Sequence, residues 1–304
     1  MTYQVEIRYS PVYELVHSLQ AFADLPTRKI LDLGAGWVRD TAKHLPAGFE
    51  EAAESFRSMG LPLEVVEHCP NGGDDPDAFI AWLRAMPVGQ LYELVLTVAE
   101  DPAKLPPDLP GARDRVLNVL ELWNERYFKH LDPRITEGLA RSAAQSRGLI
   151  RGRPPELAVE LITGGLVLDV GPEIEHVLLI PQYHCRPLNL ISWGKGRCII
   201  SYPADVLPTA PGAVPSDLRN LTRALGDDGR LQILRFLAGG VRTFTDVVKF
   251  SGLAKSTVHH HMVILRTSGL INVHLRPDGA DRYSFRPEAV DRLTPRLHAF
   301  LKEE

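Results

Sequence analysis

Apolar and polar positions follow two different periods along this chain. Around Val116, Leu120, Trp123 and Tyr127 apolar residues recur at helical spacing, which predicts a helix after the turn-rich stretch LPPDLPGA. The stretches 11–22, 36–45, 76–85, 89–99 and 135–147 carry a similar period. After about residue 164 the pattern shortens. GLVLDVG, HVLLIP, NLISW and RCIISY are brief and rich in branched residues, so they predict strands. The last two are joined by Gly194-Lys195-Gly196, a hairpin signal. Pro203, Pro208, Pro211 and Pro215 then crowd together with Gly212, which blocks helix and ladder alike and predicts a linker. The expected organisation is a mostly helical domain over 1–204, a Pro-rich linker over 205–215 and a second domain over 216–304.

In that second domain, Ser216-Asp217 can cap a helix that turns Leu218, Leu221 and Leu225 inward. GDDG breaks it, and a second helix follows with Leu231, Leu234, Phe236 and Leu237 as its apolar set. Thr243-Phe244-Thr245-Asp246 has capping-box spacing, with Asp in place of the commoner Glu. It opens a short helix carrying Val247, Val248 and Phe250 on the core side. Ser251-Gly252 makes a tight turn before a helix from Lys255 to Thr267, and two short helices across such a turn form a helix-turn-helix. Ile271–Leu275 and Arg282–Phe285 predict two strands turned by Pro277-Asp278-Gly279, a wing. Pro287 to Leu301 closes the domain as a helix. The expected fold class is α+β: a mainly helical N-terminal domain with a small antiparallel sheet, then a winged helix-turn-helix.

Three consecutive histidines, His259, His260 and His261, fall inside Lys255–Thr267. Consecutive helical residues point about 100° apart. Val258, Met262 and Leu265 define the buried stripe, so His260 faces nearly opposite with Ser256, Val263 and Thr267. His259 lies beside that exposed face and His261 at the edge of the core. One metal cannot collect three ligands that diverge in this way, and no carboxylate on the helix could orient a catalytic imidazole. An exposed face of Ser, Thr and His with Lys255 at its start offers hydrogen bonds to base edges and phosphates. Arg276 and Arg282 flank the wing turn and are expected to meet phosphates. The expected DNA-binding set is Lys255, Ser256, Thr257, His259, His260, Arg276 and Arg282.

Charge sharpens this reading. The chain of 304 residues carries a net −4, unevenly spread. From Pro215 onward there are 14 Lys/Arg against 10 Asp/Glu, while the first 214 residues hold 20 against 28. A basic end on an acidic body suggests a polyanionic partner for the smaller part. Three scattered cysteines argue against a disulfide framework, and the first residues lack a secretory pattern. Apolar runs are too short to span a bilayer. A cytoplasmic protein is expected.

The strings LTRALGDDGRLQILRFL, TFTDVVKFSGLAKSTVHHHMVILRTSGLI and DRYSF resemble the ArsR-type winged-helix transcriptional regulators over roughly residues 218–286. The resemblance implies a sequence-specific DNA-binding homodimer, with Lys255–Thr267 in the major groove and the hairpin on the backbone. It leaves room for a small-molecule effector, and the first domain would serve sensing, dimerisation or both. Asp228-Gly229 departs from the Pro-Thr common in the family, and Ala254 stands where a capping Ser is usual. Thr243–Phe250 lacks the paired cysteines of many family metal sensors, and His298 stands alone on the last helix. Neither metal, cofactor nor enzymatic activity is expected. The alternative rests on KILDLGAGWVRD (29–40), which resembles the glycine-rich loop of S-adenosylmethionine-dependent methyltransferases at Asp32, Gly34 and Gly36, with LEVVEHC as a possible second strand. Val38 departs from it, and the following hundred residues lack strand–helix alternation. A third reading, a scaffold whose winged helix binds protein, is disfavoured by the polar reading face. Trp37, Trp82, Trp123, Tyr127 and Trp193 read as core in preference to a pocket lining, and His184-Cys185 and His68-Cys69 as packing residues.

Overall fold

The computed structural model describes residues 3–59, 61–98, 105–207, 212–277 and 279–302. Along the chain come β1 (Gln4–Ile7), α1 (Pro11–Ala23), α2 (Gly34–Ala42), α3 (Phe49–Met59) and α4 (Glu64–Glu67). Next are α5 (Pro76–Ala85), α6 (Val88–Val98), α7 (Leu109–Arg126), α8 (Pro133–Ile150) and α9 (Pro155–Thr163). The strands β2 (Leu166–Leu168), β3 (His176–Gln182), β4 (Leu190–Gly194) and β5 (Arg197–Pro203) follow. Then come α10 (Ser216–Leu225), α11 (Asp228–Ala238), β6 (Arg242–Thr243), α12 (Phe244–Ser251) and α13 (Lys255–Thr267). The chain closes with β7 (Ile271–Leu275), β8 (Arg282–Phe285), α14 (Pro287–Asp291) and α15 (Leu293–Lys302).

The chain divides into two compact units, Tyr3–Leu149 with Glu173–Leu207, and Ile150–Pro172 with Pro208–Glu304. This departs from the division expected at 205–215, because Ile150–Pro172 belongs to the C-terminal unit. Residues 208–211 of the expected linker lie outside the described residues.

In the N-terminal unit, α1 is the central helix. Ser10 caps it, its hydroxyl accepting from Val12 N, and Pro11 sits in the first turn, where its missing N–H costs nothing. A helix buried all round is a core helix, and α1 has fully buried Val12, Tyr13, Leu15, Val16, Leu19 and Phe22 on several faces. Helices α3, α5 and α7 pack around it, with Phe56, Phe79 and Trp123 filling the interior. The sheet has the order β1-β3-β5-β4. Only β4–β5 is antiparallel, closed by the Lys195-Gly196 turn, whereas β1–β3 and β3–β5 are parallel. The sheet is therefore mixed, not the antiparallel one expected. The apolar run of β3, flanked by β1 and β5 and buried from Val177 to Gln182, is that of a strand covered on both faces.

The loop at 29–40 is no strand–loop–helix unit. Asp32 lies in a turn and α2 begins at Gly34, while the second proposed strand contains the helix α4. Of the aromatic residues, Trp123 is fully buried, and Trp37, Trp82 and Tyr127 pack partly buried against the same core.

In the C-terminal unit, a sheet of order β2-β7-β8-β6 backs a helical core of Leu221, Ile233, Leu234, Leu237, Val247, Val258, Met262 and Leu265. Leu231 and Phe250, expected inside, are exposed. Strand β2 runs parallel to the wing strand β7, with Leu166 opposite Val273 and Leu168 opposite Leu275. Gly164 ends α9 in the left-handed region, and at Gly165 (φ 124°) a Cβ would stand 2.8 Å from the Ile271 carbonyl oxygen. Only glycine lets this segment reach the sheet edge. The same contact explains why Ile150–Pro172 joins this unit. Arg286 is buried, and its Nε lies 3.4 Å from Glu160 Oε1 on α9, a counter-charge that a buried guanidinium requires.

Candidate nucleic-acid interface

The local sequence builds the helix-turn-helix from its caps. The Thr243 hydroxyl accepts from Asp246 N at 3.2 Å, while the Asp246 carboxylate accepts from Thr243 N at 3.0 Å, a closed capping box. The Thr243 hydroxyl also donates to the Asp246 carboxylate at 2.7 Å, and this bond first, then the one from Thr243 N, holds that carboxyl below the usual carboxylate range. Gly252, at φ 66°, terminates α12 and turns the chain toward α13. Asp227 caps α11 by accepting from Arg230 N at 2.9 Å, and that bond is the main cause of its lowered pKa.

Arg230 escaped the sequence reading. It is buried, and its guanidinium donates to the carbonyls of Ala224 and Arg223, each at 2.8 Å, satisfying the C-terminal end of α10. Its signal was a cation in the first turn of α11, where acidic residues are favoured. This clamp fixes α10 on α11, and both pack on α13.

Helix α13 has the predicted bounds and phase. Val258, Met262 and Leu265 are buried, and Lys255, Ser256, Thr257, His259 and His260 are exposed. The His259 ring stands 6.4 Å from the Phe244 ring, centroid to centroid. His261 is mostly buried, with Nδ1 4.0 Å from the Asp227 carboxylate. The Thr267 hydroxyl turns back to the Val263 carbonyl at 3.0 Å. Ala254 caps α13 without a side-chain hydrogen bond, which leaves its first N–H groups open to an external acceptor. Five of the seven expected residues are thus exposed on this helix, on the side away from its buried stripe or flanking it.

The other two expected residues, Arg276 and Arg282, border the hairpin and are exposed; Asp278, between them, lies outside the described residues. They differ in one respect. Arg276 Nε is 3.1 Å from Asp169, just past β2, with both side chains exposed. Such a pair is weak and breaks readily for a stronger anion. Among the described residues no group of three or more His, Cys, Asp or Glu converges as metal ligands would.

Residues 227–273 match the family model described as bacterial regulatory protein, arsR family. Solved structures similar to this chain include a "possible transcriptional regulatory protein" fragment from Mycobacterium bovis. It is 26% identical over 29% of this chain and 92% of its own, with a TM-score of 0.23. A solution structure from the same organism is described as a homodimeric winged helix-turn-helix DNA-binding domain of a possible ArsR-family regulator. It is 26% identical over 29% of this chain and 80% of its own, with a TM-score of 0.23. NolR from Sinorhizobium fredii is 21% identical over 29% of this chain and 91% of its own, with a TM-score of 0.25. No curated protein matches the chain. The family match runs from the start of α11 through the helix-turn-helix to the first wing strand, so within the C-terminal unit residues 227–273 form an ArsR-family helix-turn-helix, and β7 with β8 completes the wing beyond it.

Proposed function

We propose that the protein is a transcriptional regulator that reads double-stranded DNA with α13, in the cytoplasm and as a homodimer. The observation that carries this reading is the face of α13. Lys255, Ser256, Thr257, His259 and His260 are exposed together, opposite a sealed stripe of Val258, Met262 and Leu265. In the major groove, the hydroxyls and imidazoles meet base edges, and Lys255 with the open helix N-terminus meets phosphate. Arg282 and Arg276 add phosphate contacts from the wing, Arg276 after exchanging Asp169 for a phosphate oxygen.

The dimer is supported by α15. Leu297 and Leu301, at i and i+4, are exposed, and Val290 on α14 is exposed as well. An apolar stripe on the closing helix suits a second copy of itself, and a two-fold pair of readers favours an inverted repeat with half-sites about 10 bp apart or a multiple of that. The N-terminal unit serves sensing or dimerisation in this scheme, without metal.

The test is a salt titration of the full chain on DNA selected from a random duplex pool. Arg282→Ala should weaken all sequences alike and lower the slope of log K against log salt by about one. An unchanged affinity and slope would remove the wing from the interface.

A further inference from the structure

Helix α1 carries four fully buried side chains with polar atoms, Tyr13, Glu14, His17 and Ser18, and two of them are satisfied. The Glu14 carboxylate accepts from the backbone N–H of Tyr183 and His184 and pairs with the His184 ring. The Ser18 hydroxyl accepts from Trp123 Nε1 at 2.9 Å and donates to the Leu15 carbonyl. The Tyr13 hydroxyl and the His17 ring have no hydrogen-bond partner, and of these two His17 lines a cleft. Its side chain is fully buried, and neither ring nitrogen has a hydrogen-bond partner. Burial pushes its pKa down to about 4, against the pull of Glu14, so the ring is neutral at pH 7. A buried imidazole without partners costs free energy, because water satisfied both nitrogens before folding.

The same ring lines a cleft of about 520 Å³ within the N-terminal unit. Gln20 and Asp24 continue the wall along α1, with Phe56, Leu63 and Leu190 as apolar surface and Ser192 on β4. That volume and that mixture, mostly apolar with a few convergent polar groups, are those of a small-molecule site. The wall also selects on charge. No lysine or arginine is among the described residues lining it, and Asp24 is present, so an anion is repelled. The Asp24 carboxylate already accepts the Thr27 hydroxyl, and a neutral imidazole gives a cation little return for its lost hydration.

We propose that this cleft binds a small uncharged organic molecule, its apolar body against Phe56, Leu63 and Leu190 and its hydroxyl hydrogen-bonded to the His17 ring. A hydroxyl donates and accepts, so it pairs with a neutral imidazole at either nitrogen. Calling such a molecule an effector rests on the regulator reading above; its binding does not.

Binding is therefore measured on the full chain without DNA. Phenol, benzyl alcohol and 2-naphthol are compared with benzene, toluene and naphthalene, and with 2-naphthoate and 2-naphthylmethylammonium. The readouts are the melting temperature and the ¹⁵N resonances of the His17 ring. At least one hydroxyl compound should raise the melting temperature more than its hydroxyl-free counterpart and move the His17 resonances, while the charged pair does neither. His17→Leu should remove the difference between the alcohols and their hydrocarbons. Ser192→Trp, at a half-buried position on the cleft wall, should cut affinity at least tenfold with His17 intact, and serves if His17→Leu does not fold. Equal responses to alcohol and hydrocarbon, a preference for a charged compound, unmoved His17 resonances, or no binding by any compound would overturn the proposal. None of these outcomes touches the DNA reading, which stands or falls on its own titration.

Discussion

Helices α1 and α13 are each thirteen residues long, and each places histidine and serine among apolar residues. Their environments are opposite. In α1, Glu14, His17 and Ser18 are sealed in the core, whereas in α13, Ser256, His259 and His260 are open to solvent. Burial sets what each polar group can do. A sealed group must have a partner and contributes to stability through it, or waits for a ligand. An exposed group contributes little to stability and is available for recognition. Substitutions in α1 should therefore change folding, and substitutions on the open face of α13 should change only what is bound.

The largest expected effect is at Glu14. Glu14→Ala strips the acceptor from two buried N–H groups and from the His184 ring, and breaking a buried pair typically costs about 3–5 kcal/mol. Urea unfolding of wild type and variant measures it, and a loss below about 1 kcal/mol would mean that the interior of α1 is not sealed.

Next in size is the acid limb of His17. Its folded pKa lies near 4 and its ordinary value is 6.5, so between these the unfolded chain binds a proton that the folded chain refuses. The corresponding stability is fully present above about pH 6.5 and falls by about 3 kcal/mol as the pH drops through 4. His17→Leu should flatten this part of the curve in urea unfolding at pH 7 and pH 4.5. An acid loss identical to wild type would assign the limb to other groups.

The smallest effect separates neighbours within α13. His261 is mostly buried beside Asp227, so His261→Ala should lower stability by about 1 kcal/mol and leave base preference intact. His260→Ala should leave the melting temperature unchanged. The reverse pattern would show that the helix phase is misassigned.

These two helices also mark what could be read from the residues. The phase of α13 was legible because Val258, Met262 and Leu265 fix one stripe and a neighbouring capping box fixes the frame. Strand β2 was legible as a strand but not in its partnership, since nothing in GLVLDVG announces a parallel pairing with the distant Ile271–Leu275. The need for Glu160 beside Arg286 was invisible for the same reason, as burial of an arginine is a tertiary fact. Helices α3 and α9 were missed, the second although Pro155 stands at its first position. In α1, the apolar period was plain, but burial on all sides depends on α3, α5 and α7, so the isolation of His17 could not be foreseen.

The central claim is that the open face of α13 reads base pairs. Its most direct test is parallel selection from a random duplex pool with the full wild-type chain and with His260→Ala. The wild type should enrich an inverted repeat, with half-sites about 10 bp apart or a multiple of that. The variant should lose preference at one symmetric position in each half-site, by about 1–3 kcal/mol, and keep the rest of the motif. A wild type that enriches no sequence, or a variant that selects the same motif with the same strength at every position, would contradict it.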